Sequence, residues 1–280
     1  MRIQRPSWVN KKINLGDCAS LRAKLGDLSL GTVCEEALCP NIGECFAKGQ
    51  ATFLILGKNC TRHCTFCAVK RGAPAPVDPD EPERVAEGVR RLGLTHAVIT
   101  SVTRDDLPDG GAQAFVDTLL AIRQLGTPVT IELLIPDFRL DKASLGKVID
   151  ARPDILAHNI ETVPRLYSEA REGADYSRSL DVLRFIKERN SALPAKSGIM
   201  LGLGERDDEI LKTLEDIAGT GCDFLSIGQY LAPSRKHFPV KEYIKPEKFD
   251  YLKEKALGMG FRRVASGPYV RSSYRASEYL

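Results

Sequence analysis

The chain has 280 residues, 43% hydrophobic and 28% charged, a composition that supports one large core or one domain with appended segments. No stretch approaches the ~20 apolar residues of a membrane-spanning helix, and the N-terminus lacks the apolar segment of a secretory signal. A net charge of +3 without a basic stripe argues against nucleic acid as a partner. We therefore expect a cytoplasmic protein that contacts neither membrane nor nucleic acid.

The first part of the chain is rich in cysteine. Seven of the eight cysteines lie between Cys18 and Cys67, and only Cys222 stands apart, in an apolar run. Cytosolic thiols are kept reduced, so this clustering indicates metal binding rather than disulfides. Cys222 is predicted to be a small buried hydrophobic residue. We expect residues 1–51 to form an N-terminal extension with few strands.

From residue 52 onward, apolar runs rich in β-formers alternate with helical patterns. The predicted strands are Thr52–Leu56, His96–Thr100, Val129–Ile135, Ile155–His158, Lys196–Leu201 and Phe224–Gly228. One face of the first, second and fifth intervening helices carries, respectively, Val85, Val89 and Leu92; Phe115, Leu119 and Ile122; and Leu211, Leu214 and Ile217. Near-continuous apolar strands separated by helices predict an α/β fold with a parallel sheet buried on both faces.

The length of this region indicates whether its strands can form a closed barrel. About 200 residues are fewer than the ~250 typical of a closed eight-unit barrel, so we predict a partial (β/α)6 TIM-like barrel over residues 52–260. Residues 261–280 are then a C-terminal tail over the barrel mouth. In such folds the reactive groups gather at the C-terminal ends of the strands.

A C-x3-C-x2-C run, Cys60, Cys64 and Cys67, begins just past the end of the first strand. It supplies three thiolates and no local fourth cysteine. A structural zinc site completed by His63 is one interpretation. A [4Fe–4S] cluster held by three cysteines is the other, and it would leave one iron open to bind a substrate.

This spacing, with Phe66 before the last cysteine, resembles the signature of the radical S-adenosylmethionine enzymes. The resemblance implies that the open iron binds the amino and carboxylate groups of S-adenosylmethionine. An electron from the cluster then breaks a carbon–sulfur bond and gives a 5′-deoxyadenosyl radical. The protein would orient the cofactor and exclude water.

A second triplet, Cys34, Cys39 and Cys45, also lacks a fourth partner. On spacing alone it could equally be a small zinc or iron–sulfur staple for an extension with little core. Together with the first motif and the C-terminal run 271–274, Arg-Ser-Ser-Tyr, it is similar to the lipoyl synthase family. Matching segments also occur at Asp105–Gly111, Glu132–Asp137, His158–Thr162, Lys196–Glu205 and Gly228–Pro233.

The resemblance implies insertion of two sulfur atoms at C6 and C8 of an octanoyl-lysine on a carrier domain. The carriers would be of the dehydrogenase-complex E2 or glycine-cleavage H protein type, and the reductant of the ferredoxin or flavodoxin type. The second [4Fe–4S] cluster would be the sacrificial sulfur donor, with Ser273, or else Ser272, as its fourth ligand. Arg271 would stabilise the serinate or guide the substrate.

The resemblance also implies contacts to S-adenosylmethionine. Gly110 and Gly111 would let backbone approach its amino group, although a plain turn is the alternative there. Asn159 and Glu161 would bind ribose or the methionyl group, and Arg178 would pair with the carboxylate. Further residues with less defined roles are Gly202 and Gly204, near the adenine, and His158, a core histidine or a ligand.

Three other functions fit part of the pattern. An iron–sulfur electron carrier would explain two clusters but not six βα units. A zinc-stapled binding module would explain the thiols alone. A biotin-synthase-like sulfur-inserting enzyme would keep the first triplet but should lack both the second triplet and the serine-containing tail.

Overall fold

The computed structural model describes residues 4–9, 25–28, 30–36, 39, 41, 44–45, 51–274 and 276–279. Within them, one eight-stranded sheet forms the centre of the fold. Its strands are β1 (Gly31–Thr32), β2 (Thr52–Ile55), β3 (His96–Ser101), β4 (Thr130–Leu134), β5 (Ile155–Ala157), β6 (Ala195–Leu201), β7 (Phe224–Gln229) and β8 (Arg263–Gly267).

The strands lie side by side in chain order. β2 to β8 are parallel, whereas β1 pairs antiparallel with β2. Among the described residues β1 and β8 are the two edges and do not pair with each other, so the sheet stays open. The predicted partial α/β barrel is confirmed.

Helices lie between the strands along the chain, and those after β2 connect parallel strands. They are α1 (Val33–Glu36), α2 (Glu81–Leu92), α3 (Ala112–Gln124), α4 (Lys142–Asp150), α5 (Tyr167–Ala170), α6 (Tyr176–Arg189), α7 (Asp207–Ala218) and α8 (Pro246–Gly258). Short 3-10 turns lie at Ser7–Val9, Gly26–Leu28, Phe138–Leu140, Pro164–Leu166 and Ala276–Tyr279. Two short strand pairs join Asn59–Cys60 to Lys70–Arg71, and His63–Cys64 to Arg171–Glu172.

Local sequence explains the helix ends. Pro82 stands in the first turn of α2, where its missing N–H costs nothing, and Gly93 ends that helix with φ 60°. Asp141 and Asp175 cap α4 and α6 by accepting from the backbone N–H groups of Ser144 and Arg178. These caps fix where each helix leaves the sheet.

The six predicted strands correspond to β2 to β7. β8 was not predicted, because as an edge strand it buries fully only Val264 and lacks an apolar run. It lies inside residues 261–280, so the sheet continues past the proposed boundary of the tail. In α7, Ile210 is buried more deeply than the predicted Leu211. Cys222 is buried, as predicted.

The tail after β8 runs along the inside of the barrel. A Cβ on Gly228 would collide with the carbonyl oxygen of Val270, and one on Gly198 would lie 3.0 Å from Ser272 Oγ. Further on, Tyr279 packs against Phe224, the first residue of β7. The tail therefore passes from the C-terminal ends of the strands toward their N-terminal ends.

Candidate active site

The first cysteine run forms a loop at the C-terminal ends of β2 and β3. The chain turns out of β2 at Leu56 and Gly57, with φ 67° and 86°. Cys60 Sγ then accepts from the backbone N–H groups of Arg62, at 3.5 Å, and Thr103, at 3.4 Å. These two donors hold the Cys60 sulfur in place within the loop.

The three thiols of this loop interact with one another. Burial raises the pKa of Cys64 to about 11 and that of Cys67 to about 12. The nearby sulfurs of Cys60 and Cys64 add to the shift at Cys67, which places the three within electrostatic reach. No group of three or more Cys, His, Asp or Glu side chains in the described part of the chain is arranged to hold a single metal ion. Three half-buried thiols fit an iron–sulfur cluster, whose binding would displace their protons.

Arg62, inside the cysteine run, ties the loop to two neighbouring strand ends. Its guanidinium donates to Asp105, at 2.8 and 3.0 Å, and to Asp137, at 2.6 and 2.9 Å. Asp137 is fully buried; burial alone would raise its pKa, but Arg62 holds that pKa far below the ordinary value. This bidentate pairing fixes the loop against β3 and β4.

Sequence reasoning did not assign a role to Arg62, Asp105 or Asp137. The signal was present, since both aspartates follow predicted strands and Arg62 lies between two cluster cysteines. The sequence did not show that these three residues lie close together. Arg178, predicted to pair with the carboxylate of S-adenosylmethionine, donates from Nε to Asp137 at 2.8 Å and from Nη2 to the carbonyl of Gly173.

Gly110 and Gly111 lie at the start of α3, with φ 63° and 91°. A Cβ on Gly110 would lie 2.9 Å from a ring carbon of Phe138, and one on Gly111 would collide with Leu56. Both positions are therefore packed too tightly for a side chain. This is what a plain turn, the alternative given by the sequence, would also require. Thr103 and Asp105 of this connection contact the cysteine loop.

Asn159 and Glu161 follow β5 and are hydrogen-bonded, Asn159 Nδ2 donating to Glu161 Oε1 at 3.0 Å. Burial raises the pKa of Glu161, and the cations of Arg171 and Arg271 oppose that rise. Glu161 has φ 69°, an unusual conformation for a non-glycine residue. A half-buried carboxylate near two arginines and next to an amide can accept hydroxyl or ammonium donors of a ligand.

His158, next to this pair, is bound through Nδ1 to the carbonyl of Ile135 at 2.9 Å. Burial lowers its pKa to about 4, so the ring is neutral at pH 7. Its Nε2 has no hydrogen-bond partner among the described residues. The side chain is anchored as a core histidine.

A second cavity lies between the N-terminal extension and the C-terminal tail, and we call it the auxiliary cavity. It is lined by Cys39, Asn41, Cys45, Ala51, Thr52, His96, Val98, Arg271, Ser273, Tyr274 and Ala276. The extension and tail are joined directly, because Asn41 donates to the carbonyl of Tyr269 and Tyr274 donates to Glu44. Cys34 lies in α1, and its side chain is outside the described residues.

The two serines of the tail have different surroundings. Ser273 lines the auxiliary cavity with Cys39 and Cys45. Ser272 instead donates to Asn159 Oδ1 at 2.8 Å. Arg271 interacts electrostatically with both Cys39 and Glu161, and burial lowers the pKa of its guanidinium. The tail thus reaches both predicted sites with adjacent residues.

Comparison with known proteins identifies the family of this chain. A model of the Radical SAM superfamily matches residues 54–217. The chain is 57% identical over 281 residues to the lipoyl synthase of Trichlorobacter lovleyi, with 100% of both chains covered. It is 50% identical to that of Caldanaerobacter subterraneus subsp. tengcongensis, over 99% of this chain and 97% of the relative. This chain belongs to the lipoyl synthase family. Membership of this radical S-adenosylmethionine family implies a [4Fe–4S] cluster, S-adenosylmethionine and an octanoylated carrier substrate.

Solved structures show the same fold at low identity to this lipoyl synthase family member. Methylornithine synthase has a TM-score of 0.56 at 15% identity, covering 91% of this chain and 79% of its own. Streptococcus suis SuiB bound to S-adenosylmethionine has a TM-score of 0.60 at 13% identity, covering 76% and 49%. In the described part of the chain, no helix is long and apolar enough to cross a membrane.

Proposed function

We propose that this chain inserts sulfur atoms at C6 and C8 of an octanoyl group amide-linked to a carrier lysine. The observation that carries the proposal is the auxiliary cavity, where Cys39 and Cys45 of the extension meet Ser273 of the tail. An electron carrier would not need a mixed set of cysteine and serine ligands beside a radical site. A biotin-synthase-like enzyme should lack the second triplet and the serine.

Cys60, Cys64 and Cys67 are the proposed ligands of the radical cluster, and Cys34, Cys39, Cys45 and Ser273 those of a second [4Fe–4S] cluster. When bound, the first cluster supplies the electron that cleaves S-adenosylmethionine, and the second supplies the sulfur. The structural support is the sulfur donor set of each site and the different surroundings of the two serines. We therefore favour Ser273 over Ser272, which is already engaged by Asn159.

The protein's own contribution is positioning and exclusion of water. Arg62 and its two aspartates hold the cysteine loop, while Asn159 and Glu161 offer acceptors for ribose or the methionyl ammonium. For Arg178 to bind the cofactor carboxylate, as we proposed, it would have to exchange or share its contact with Asp137. Gly110 and Gly111 shape the turn and would let its backbone approach the amino group of the cofactor.

The serine oxygen has a specific chemical consequence. Oxygen is a harder ligand for iron than thiolate, so the position it holds is the easiest to vacate as a cluster is dismantled. Arg271, close to Cys39, is placed to offset negative charge on the ligands or to guide the substrate. The proposed carriers are E2 or H protein domains, the reductant is a ferredoxin or flavodoxin, and the location is the cytoplasm.

The test is anaerobic reconstitution with iron and sulfide, followed by dithionite, S-adenosylmethionine and an octanoyl-lysine peptide. We expect lipoyl product with loss of the protein's own sulfide, and iron counts near eight per chain, as two four-iron clusters require. Cys60→Ala should produce no 5′-deoxyadenosine. Cys39→Ala should still cleave S-adenosylmethionine but form no lipoyl product, and normal product from that variant would refute the assignment of the sulfur donor.

A further inference from the structure

His96, the first residue of β3, lies in the wall of the auxiliary cavity with Cys39, Cys45 and Ser273. Its side chain is only 8% exposed. Nε2 faces the carboxylate of Glu132 at 3.6 Å, and among the described residues it has no hydrogen-bond partner. A buried imidazole with an unsatisfied nitrogen requires an explanation.

Behind His96 lies a buried ion pair. Lys196 Nζ donates to both carboxylate oxygens of Glu132, at 2.9 and 3.0 Å, and both side chains are fully buried. The ring of Tyr279 covers Lys196 Nζ, with its centroid 4.0 Å away. Such a pair is costly to desolvate, and apolar side chains of similar volume would stabilise a barrel interior at least as well. The pair therefore points to a role beyond stability.

The ion pair also determines which nitrogen of the His96 ring carries the proton. Burial favours the neutral carboxyl, but Lys196 and His96 together hold the pKa of Glu132 below its ordinary value. An ionised carboxylate only accepts, so the ring nitrogen that faces it, Nε2, carries the proton. The lone pair is then on Nδ1, the other ring nitrogen of a side chain that lines the auxiliary cavity. Metal-binding histidines commonly have a carboxylate behind the distal N–H, and in His96 that carboxylate lies 3.6 Å away, just beyond hydrogen-bond distance.

We propose that His96 is a nitrogen donor to iron in the auxiliary cavity, oriented by Glu132 and Lys196. It binds the iron position assigned to Ser273 when the serine oxygen does not hold it. The neutral ring binds through the lone pair of Nδ1 and keeps its proton on Nε2, so no proton transfer is needed. This inference rests on the proposed function of the cavity as a second cluster site.

The experiment uses the full chain carrying Cys60→Ala, Cys64→Ala and Cys67→Ala, so that only the auxiliary site is loaded. Adding Ser273→Ala vacates the serine position. Pulsed EPR of the reconstituted, dithionite-reduced protein should then show hyperfine coupling to an imidazole nitrogen. Adding His96→Phe should abolish that coupling and increase the rate of iron loss to a chelator several-fold.

Two further variants serve as controls in the same background. His237→Phe removes a half-buried histidine bonded to Ser234, and it should leave the nitrogen coupling unchanged. Glu132→Gln retains side-chain volume but offers Nε2 an amide, so it should weaken the coupling even if His96→Phe folds poorly. Its iron content gives an independent check on folding of the site.

The outcomes separate the two proposals. If Ser273→Ala binds a cluster without nitrogen coupling, the role of His96 is refuted while the proposed function stands. If the background with Ser273 intact binds no cluster, both proposals fail. Coupling that persists after His96→Phe would assign the nitrogen to another residue and would also refute the inference.

Discussion

Replacing Asp137 with alanine should weaken both the fold and the cysteine loop. Asp137 accepts from Arg62 through two nitrogens and from Arg178 through one. It also accepts from the backbone N–H of Arg139, which shapes the turn after β4. The variant leaves Arg62 Nη1 buried without this acceptor, while Nε and Nη2 retain Asp105.

The expected loss follows from that geometry. Removing one partner of a buried ion pair costs about 3–5 kcal/mol, because the remaining charge stays desolvated. Asp105 still neutralises Arg62, so we expect the lower end, about 3 kcal/mol in the free energy of unfolding. Asp137→Asn keeps an acceptor oxygen and should lose less.

Urea unfolding at pH 7 measures the stability, and 5′-deoxyadenosine formation measures the effect on the reconstituted site. Asp150→Ala is the matched control, because its pair with Arg189 is exposed and should contribute nothing measurable. If Asp137→Ala were no less stable than Asp150→Ala, the pairing with Arg62 would not stabilise the loop and the reasoning would be wrong.

Three further predictions concern single residues. Gly111→Ala should destabilise the protein in urea unfolding, since it combines φ 91° with a collision at Leu56; an unchanged midpoint would contradict the observed packing. His158 should make the cluster-free protein lose stability as pH falls from about 6.5 to about 4, by about 3 kcal/mol. The sign follows because the unfolded state binds the proton first over that range, and His158→Gln should flatten the dependence in unfolding at each pH. Ser273→Ala should lower the sulfide content of the reconstituted protein, whereas Ser272→Ala should retain it; the reverse result would exchange their roles.

The barrel was predictable because its strands repeat one physical pattern. β2 to β7 are apolar runs followed by helices, and a strand buried on both faces leaves that signature in any sequence. β8 (Arg263–Gly267) lacks this signature, because an edge strand needs no apolar run. The two-residue β1 is too short to carry any period.

The proposed cluster ligands could be predicted for a different reason. Cysteine spacing records which thiols reach one centre, so the candidates were visible without coordinates. Contacts between distant segments leave no such record. The pairing of Arg62 with Asp137 and that of Lys196 with Glu132 join residues 75 and 64 positions apart. Each is an ordinary charge in the sequence and becomes informative only when it is found buried.

The tail links the two proposed sites through adjacent residues. Ser272 is hydrogen-bonded to Asn159, which is bonded to Glu161, while Ser273 faces the auxiliary cavity. Arg271 interacts with Glu161 on one side and Cys39 on the other. A ligand that takes the acceptor of Asn159 must therefore compete with Ser272, the residue directly before Ser273. The proposed serine ligand is thus adjacent in the chain to a residue that contacts the proposed S-adenosylmethionine site, a link that a serine on a separate strand would not provide.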